Sequence, residues 1–325
     1  MDSKPSGALR RLGRRLDRQL DRPLPPPPAF LRRGPFRDGV FTSPLHEPRT
    51  AVVLGRWLGA ALLICFLTGL TSRLLQDRPH WPTTWLPSRP VNGYRITQGL
   101  HVISGTAAIP LTGAKLWTVH PRLFAWPPAR TVPHALERLG IAVLVAAVLL
   151  ALFTGLPNTL QWCPWPFPFR QTHFWPAWPA TGGLLLHLAA KAPLIDRHWR
   201  GERAPAVAGR RGFLVAVGAA VGAVTLTTAG QTAPWLRAVD LLAPRRPGPG
   251  PGGLPVSRTA AQARTVTVPA DWRLVVDGPR LFRLTLAELP ELPQCEAELT
   301  IACVEGWSVS ARWGGVRVTD LPSGG

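Results

Sequence analysis

Apolar residues are concentrated in five long runs in the first two thirds of the chain. A bilayer core about 30 Å thick is crossed by roughly 20 apolar helical residues, and a soluble helix of that length normally has one charged face. The pattern therefore predicts an all-α bundle of five transmembrane helices within 51–233. The runs lie at about 52–70, 94–119, 139–156, 172–194 and 213–230.

The pattern changes after the fifth run. A linker is predicted over 234–263, because its Pro/Gly-rich part at 243–257 suits neither helix nor strand. Within 264–325, apolar and polar residues alternate as in β-strands. The stretch "AELTIACVEGWSVSARWGGVRVTDL" predicts two strands joined at its Gly-Gly pair, and "LTLAELPEL" predicts a short helix. This part has α+β character.

The first 50 residues are basic and rich in proline, as in "RRLGRRLDRQLDRPLPPPP". Such a composition predicts a disordered arm. The alternative is a helix over 8–20 lying on anionic lipid. The arm lacks an apolar core followed by a small-residue cleavage site, so it is not a cleavable signal peptide.

Charge indicates the orientation of the bundle. The formal net charge is +19 with 46% hydrophobic residues, and the basic residues are bunched between apolar runs. This distribution excludes a uniformly basic nucleic-acid binder. The N-terminal arm and the loops at 120–138 and 191–211 are basic and belong on the cytoplasmic side. The chain is thus predicted to be a multi-pass cell-membrane protein, with residues after about 233 outside the cytoplasm.

The fifth run begins in a way that resembles a twin-arginine export signal. Arg210 and Arg211 are followed by one spacer, by Phe213-Leu214 and by a weakly hydrophobic Gly/Ala-rich helix. That export route carries proteins already folded around a cofactor. The alternative is an ordinary cytoplasmic arginine pair at the start of a helix. This stretch alone leaves both interpretations open.

Histidines within the apolar runs are candidate haem ligands. His173 and His187 are 14 residues apart, which places them on one helix face about 21 Å apart along the axis. His101 is at the depth of His173 near the outer surface. His134, or alternatively His120, is near the depth of His187. Neutral imidazole is a good axial ligand for haem iron, so the pattern predicts two haems, one, or none if the histidines only bond neighbouring helices.

The runs and their histidines across 50–195 resemble the membrane cytochrome b group of four-helix haem bundles. This group includes the membrane partners of periplasmic molybdenum reductases. The resemblance implies haem b as cofactor and a quinone, a quinol or another membrane donor as electron-transfer partner.

The C-terminal part contains four ordered motifs. They are Trp272–Gly278, Leu286–Pro290, "CVEGWS" at Cys303–Ser308, and Trp313–Val318. Together they resemble the molybdopterin-binding domain of the sulfite-oxidase family. The closest pattern is that of its bacterial periplasmic branch, which includes protein-methionine-sulfoxide reductase.

This resemblance implies that Cys303 ligates the molybdenum of a molybdopterin cofactor and that Glu305 acts beside it. A soft thiolate suits that role, whereas without the resemblance a lone cysteine is usually a small buried residue. Cys65 and Cys163 are predicted to be inert, and Cys295 is predicted to be structural. The family's domain continues well beyond the position matching the end of this sequence, so the domain is expected to be incomplete: either the sequence is a fragment, or its outer domain binds no cofactor.

Taken together, these features predict a redox protein that passes electrons between the quinone pool, a b haem and an extracytoplasmic molybdenum centre. Oxygen-atom transfer on a small-molecule or protein substrate of the sulfoxide or sulfite type is the expected reaction. Electron flow in the reverse direction fits equally well. The alternative is a non-enzymatic membrane cytochrome.

Overall fold

The protein is mostly helical, with a small β region near the C-terminus. The computed structural model describes residues 26–33, 37, 39–40, 42–76, 90, 92–160, 162, 165–200, 207–230, 232–242, 248–250, 253–256, 258–276, 281–303 and 307–321. Most of the predicted N-terminal arm, including 8–20, lies outside these residues. Within the arm, a short helix, α1, spans Ala29–Arg33.

Five long helices follow, and each contains one of the predicted apolar runs. They are α2 (Pro48–Gln76), α3 (Gly93–Leu123), α4 (Val132–Thr159), α5 (Phe169–Arg200) and α6 (Arg210–Ala229).

Three of these helices, α2, α4 and α6, are long and apolar enough to cross a membrane. In α3 and α5 the apolar runs are interrupted by polar residues and by internal prolines, such as Pro110 and Pro176. An internal proline removes a helical hydrogen bond. Neighbouring helices make this tolerable within a membrane bundle.

Contacts at the helix ends show that neighbouring helices alternate in direction. Ser72, near the end of α2, donates to Thr97 near the start of α3 at 2.9 Å. Arg138 near the start of α4 donates to the carbonyl of Arg122 at the end of α3 at 2.9 Å. Lys191 in the last part of α5 forms an ion pair with Glu137 near the start of α4 at 2.5 Å. Arg210 at the start of α6 pairs with Glu47 just before α2 at 3.1 Å, so α2 and α6 begin at the same end of the bundle.

The bundle interior is built from small and aliphatic side chains. Leu54, Leu111 and Val217 join α2, α3 and α6 in one cluster. Ala147, Val148 and Ala180 join α4 and α5 in a second. Small residues let helices approach closely, as membrane helices require when water supplies no driving force between them.

Large apolar side chains point away from the bundle, even on the two helices that are less apolar overall. An outward apolar surface suits a lipid bilayer and is costly in water. On α3 and α5 these side chains are Ile96, Leu100, Ile109, Trp175, Leu185 and Leu186.

The predicted linker contains short elements. A 3₁₀ turn spans Pro234–Val239, and helix α7 spans Ala260–Ala263. Two dipeptides, β1 (Gly248–Pro249) and β2 (Pro255–Val256), pair antiparallel. The prediction that this run contains no strand is therefore wrong for these dipeptides. Proline is compatible with extended backbone at a strand edge, where its missing N–H is not needed.

Two further hairpins form the β region. Strand β3 (Arg273–Val276) pairs with β4 (Phe282–Thr285), and β5 (Gln294–Ala302) pairs with β6 (Ser308–Val316). A single 3₁₀ turn at Leu289–Glu291 stands where a short helix was predicted.

The predicted turn position in the last hairpin is wrong. Gly314 and Gly315 lie inside β6, opposite Glu296 and Cys295, and the strands are joined at 303–307 instead. Glycine weakens a strand because it has no side chain to pack. In a two-stranded ribbon little packing is lost, so the pair does not break the strand. The residues after Asp240 whose side chains the structure describes are all exposed or half-buried.

Candidate functional site

Two histidines from different helices meet inside the bundle. His101 lies in the third turn of α3, and His173 in the second turn of α5. Their ring centroids are 5.8 Å apart, and the ring planes are nearly perpendicular, at 78°. The sequence predicted that His101 and His173 lie at the same depth, and the structure places the two residues next to each other.

Each ring is held by a backbone carbonyl of the preceding helix. His101 Nδ1 lies 2.8 Å from the carbonyl oxygen of Cys65, and His173 Nδ1 lies 2.9 Å from that of Ala151. A carbonyl can only accept, so Nδ1 donates the proton in both rings and Nε2 keeps its lone pair. This is the tautomer that a metal-ligating histidine needs, with its other nitrogen bonded to an outer partner.

Side chains of α2 and α4 complete the support of the two rings. The Cys65 thiol donates to the carbonyl of His101 at 3.6 Å, and its sulfur lies 3.4 Å from His101 Nδ1. The Thr154 hydroxyl donates to the Leu150 carbonyl at 2.7 Å, which leaves its oxygen to accept from His173 Nδ1 at 3.3 Å. Cys65 was predicted to have no role, but it contacts a candidate ligand.

A cavity of about 130 Å³ lies against both rings. Bonds between a metal and an imidazole nitrogen are about 2 Å long, so two rings that bind one ion from opposite sides have centroids roughly 6 Å apart. The observed 5.8 Å fits a shared metal centre. A porphyrin is larger than the cavity, so binding one requires the lining to move apart. The lining includes Leu62, Cys65, Gly105, Ile109, Gly155 and Leu184.

The second predicted pair is not brought together in the same way. His134 and His187 make no ring contact with each other in the described part of the chain. His134 Nδ1 accepts the Arg130 N–H at 3.3 Å, so its neutral ring carries the proton on Nε2, the tautomer opposite to that of His101 and His173.

Other residues surround the positions of the second pair. His187 lies half-buried on α5, one turn before Lys191, which pairs with Glu137. His120, the alternative partner, packs its ring on Phe124 at 4.8 Å.

Cys303 directly follows strand β5. Its N–H donates to the carbonyl of Trp307 at 2.9 Å, and its thiol is free and half-buried. The thiol of Cys295, within β5, instead donates to the Gly315 carbonyl at 3.4 Å. Glu305 lies outside the described residues. Within the described ranges, no three His, Cys, Asp or Glu side chains are grouped so as to hold a metal ion.

The end of α6 lies beside the histidine end of α3. A Cβ atom placed on Gly99, two residues before His101, meets the side chain of Thr232. The chain after α6 therefore leaves the bundle at the end where His101 and His173 meet.

Comparisons with family models, curated proteins and solved structures find no match to this chain. Its functional interpretation depends on its own residues and their geometry.

Proposed function

We propose that this chain is a membrane redox protein in which His101 and His173 are the two axial ligands of a b-type haem near the extracytoplasmic surface. The observation that carries the proposal is the matched hydrogen bonding of the two rings. Both donate Nδ1–H to a carbonyl of a neighbouring helix, and their ring centroids lie 5.8 Å apart, close to the spacing of two imidazoles that bind one iron from opposite sides.

The residues around the site have defined tasks in this proposal. The haem, when bound, supplies reversible one-electron chemistry. The carbonyls of Cys65 and Ala151 orient the imidazoles and keep Nε2 unprotonated. Apolar lining residues such as Leu62 and Leu184 exclude water from the site.

The proposed topology has five crossings, with the N-terminus in the cytoplasm. It is supported by the alternating helix directions and by the basic residues at the end where α2 and α6 begin. The outward apolar side chains of α3 and α5, such as Leu100 and Leu186, support crossings by the two helices of lower apolar content.

We further propose that the haem exchanges electrons with the quinone pool and with a molybdenum centre ligated by Cys303, with Glu305 beside it. A molybdopterin centre there would perform oxygen-atom transfer on a sulfoxide- or sulfite-like substrate. Support comes from the position of Cys303 at the end of a strand, with a free thiol, and from the exit of the chain at the histidine end of the bundle.

A second candidate function is a membrane cytochrome without molybdenum. One observation favours it: the residues after Asp240 whose side chains the structure describes are all exposed or half-buried, so these side chains form no closed core in the two hairpins. A large cofactor needs many polar contacts on a rigid frame, and a single thiolate supplies one of them.

The haem proposal is tested by reduced-minus-oxidised absorption spectra of membranes containing the full chain. H101A and H173A should each abolish the b-type band, because each variant removes one of the two axial ligands. H134A and H187A are matched controls that should keep this band. A wild-type protein without any reducible b-type band contradicts the proposal.

Metal analysis of the purified full chain separates the two candidate functions. Stoichiometric iron together with molybdenum, with molybdenum lost in C303S and retained in C295S, supports the molybdenum centre. Stoichiometric iron without molybdenum or pterin refutes it and supports the membrane cytochrome.

A further inference from the structure

The two candidate ligands rest on a repeated feature of the chain. Helix α2 contains "CFLTGL" at 65–70, and helix α4 contains "ALFTGL" at 151–156. In each segment the first residue is the one whose carbonyl holds a histidine, and a Thr-Gly-Leu triplet begins three residues later.

The hydrogen bonds within the two segments match as well. Thr68 donates to the carbonyls of Ile64 and Cys65 at 2.6 and 3.3 Å. Thr154 donates to those of Leu150 and Ala151 at 2.7 and 3.3 Å. In both helices one carbonyl therefore accepts from the threonine of its own helix and from the histidine of the next helix.

The glycine of each triplet lies directly under a histidine ring. A Cβ atom added to Gly69 would be 2.5 Å from His101 Nδ1, and one added to Gly155 would be 2.9 Å from His173 Cε1. Both distances are shorter than atoms tolerate, so any side chain at these positions must push the ring away. The carbonyl four residues earlier is on the same helix face, so the ring would also be moved off its hydrogen-bond acceptor.

We infer that Gly69 and Gly155 are positioning residues for the two ligands, and that the site is assembled from two copies of one helix-pair unit, α2–α3 and α4–α5. Each unit supplies one histidine, one orienting carbonyl and one glycine that admits the ring. The inference rests on the proposed function for the identity of the bound metal group. The placement of the rings depends on the chain alone.

The chain provides a matched control. Helix α3 contains a third Thr-Gly pair, Thr112-Gly113, and a Cβ atom added to Gly113 meets nothing within 4 Å. Alanine favours helix over glycine, so G113A should leave the protein unchanged or slightly stabilised. A steric role for Gly69 and Gly155 predicts the opposite sign for their alanine variants.

The experiment compares G69A, G155A and G113A in the full-length protein in detergent. Moving an outer partner away from a metal ligand lowers metal affinity about 10- to 100-fold. We expect a loss of that size in haem affinity, or a shifted midpoint potential of the retained haem, in G69A and G155A and not in G113A. In ¹⁵N-histidine spectra, G69A should change the Nδ1–H signal of His101 and spare that of His173, and G155A should do the reverse.

The outcomes distinguish the two proposals. Wild-type haem affinity, potential and histidine signals in both G69A and G155A overturn the inference. A wild-type protein that takes up no haem overturns the proposed function, while the Nδ1–H signals still decide whether the glycines position the rings. Equal changes in G113A would also overturn the inference, because they would indicate a general effect of alanine in these helices.

Discussion

The ion pair between Arg210 and Glu47 should make a measurable contribution to the stability of the bundle. It joins the start of α6 to the residue before α2, at 3.1 Å. Glu47 also accepts a hydrogen bond from Thr50 at 2.9 Å. Each side chain of the ion pair is 21% exposed. Arg211, the next residue, is exposed and forms no ion pair with a described residue.

The magnitude follows from this partial burial. Exposed ion pairs contribute about 0–1 kcal/mol, and hydrogen bonds to charged groups contribute about 1.5–3 kcal/mol when well shielded. With one fifth of each side chain in contact with solvent, we expect a coupling energy of about 1–2 kcal/mol between Arg210 and Glu47. Each single change should cost about 2 kcal/mol, because it also leaves the partner half-desolvated.

The assay is a double-mutant cycle on the full chain in detergent, with denaturant unfolding followed by tryptophan fluorescence. The variants are E47Q, R210Q and the double variant, and R211Q is the matched control. R211Q should change the free energy of unfolding by less than about 0.5 kcal/mol. Additive effects of E47Q and R210Q would refute the reasoning, since they would show that the two side chains are not coupled.

The same variants decide between the two interpretations of the arginine pair. A twin-arginine export signal is read as a pair, so R211Q should impair export of the C-terminal segment as strongly as R210Q. If the two residues are an ordinary cytoplasmic arginine pair at the start of a helix, export should tolerate R211Q. R210Q should then affect the protein only by lowering its stability. The ion pair with Glu47 favours the second result.

Two further predictions concern other parts of the chain. G99A should lower the free energy of unfolding by about 1–3 kcal/mol, as overpacking does, because the new Cβ would clash with the side chain of Thr232. Denaturant unfolding measures this change, and an unchanged free energy would contradict the contact. The Glu288 carboxylate accepts the Thr285 N–H at 2.6 Å, which holds the pKa of Glu288 below its ordinary value. The contribution of this hydrogen bond to stability is therefore complete above the unfolded-state pKa of Glu288, and it is lost as the pH falls through the lower folded-state pKa. The protection of the Thr285 amide, measured against its intrinsic exchange rate, should fall over that acid range in the wild type. In E288Q the protection should not depend on pH in this range.

The long helices and the proximity of His101 to His173 were predictable because helix geometry and chain connectivity determine them. A long apolar run fixes a helix, and alternating directions fix depth, so His101 and His173 had to lie near the same end. The second pair was harder to predict because His134 stands in the first turn of α4. There Thr131 caps the helix and the Arg130 N–H binds the imidazole, and such local bonds do not follow from depth.

Two other features depend on side-chain detail that periodicity does not contain. The position of the last turn was wrong because glycine pairs suggest turns, whereas the register of β5 and β6 is set by the whole ladder from Gln294↔Val316 to Ala302↔Ser308. The tautomer of the two rings depends on which carbonyls they reach. The repeated Thr-Gly-Leu triplet was visible in the sequence, but its meaning required the histidines to be placed against it.

The different surroundings of the two histidine pairs lead to a last prediction, about membrane potential. An electron that crosses the bilayer between two haems moves through the transmembrane field, which amounts to about 2.3 kcal/mol per 100 mV. If His101 and His173 hold the sole haem, electrons enter and leave at the end of the bundle from which the C-terminal segment emerges, and they do not cross the field. Haem reduction by quinol in sealed vesicles should then be independent of an imposed potential. A reduction rate that changes several-fold per 100 mV would show charge movement across the bilayer and would require a second, inner haem. H187A should remove the dependence on potential if His187 is a ligand of that inner haem. H120A and H134A would then show which of these two histidines is the second ligand.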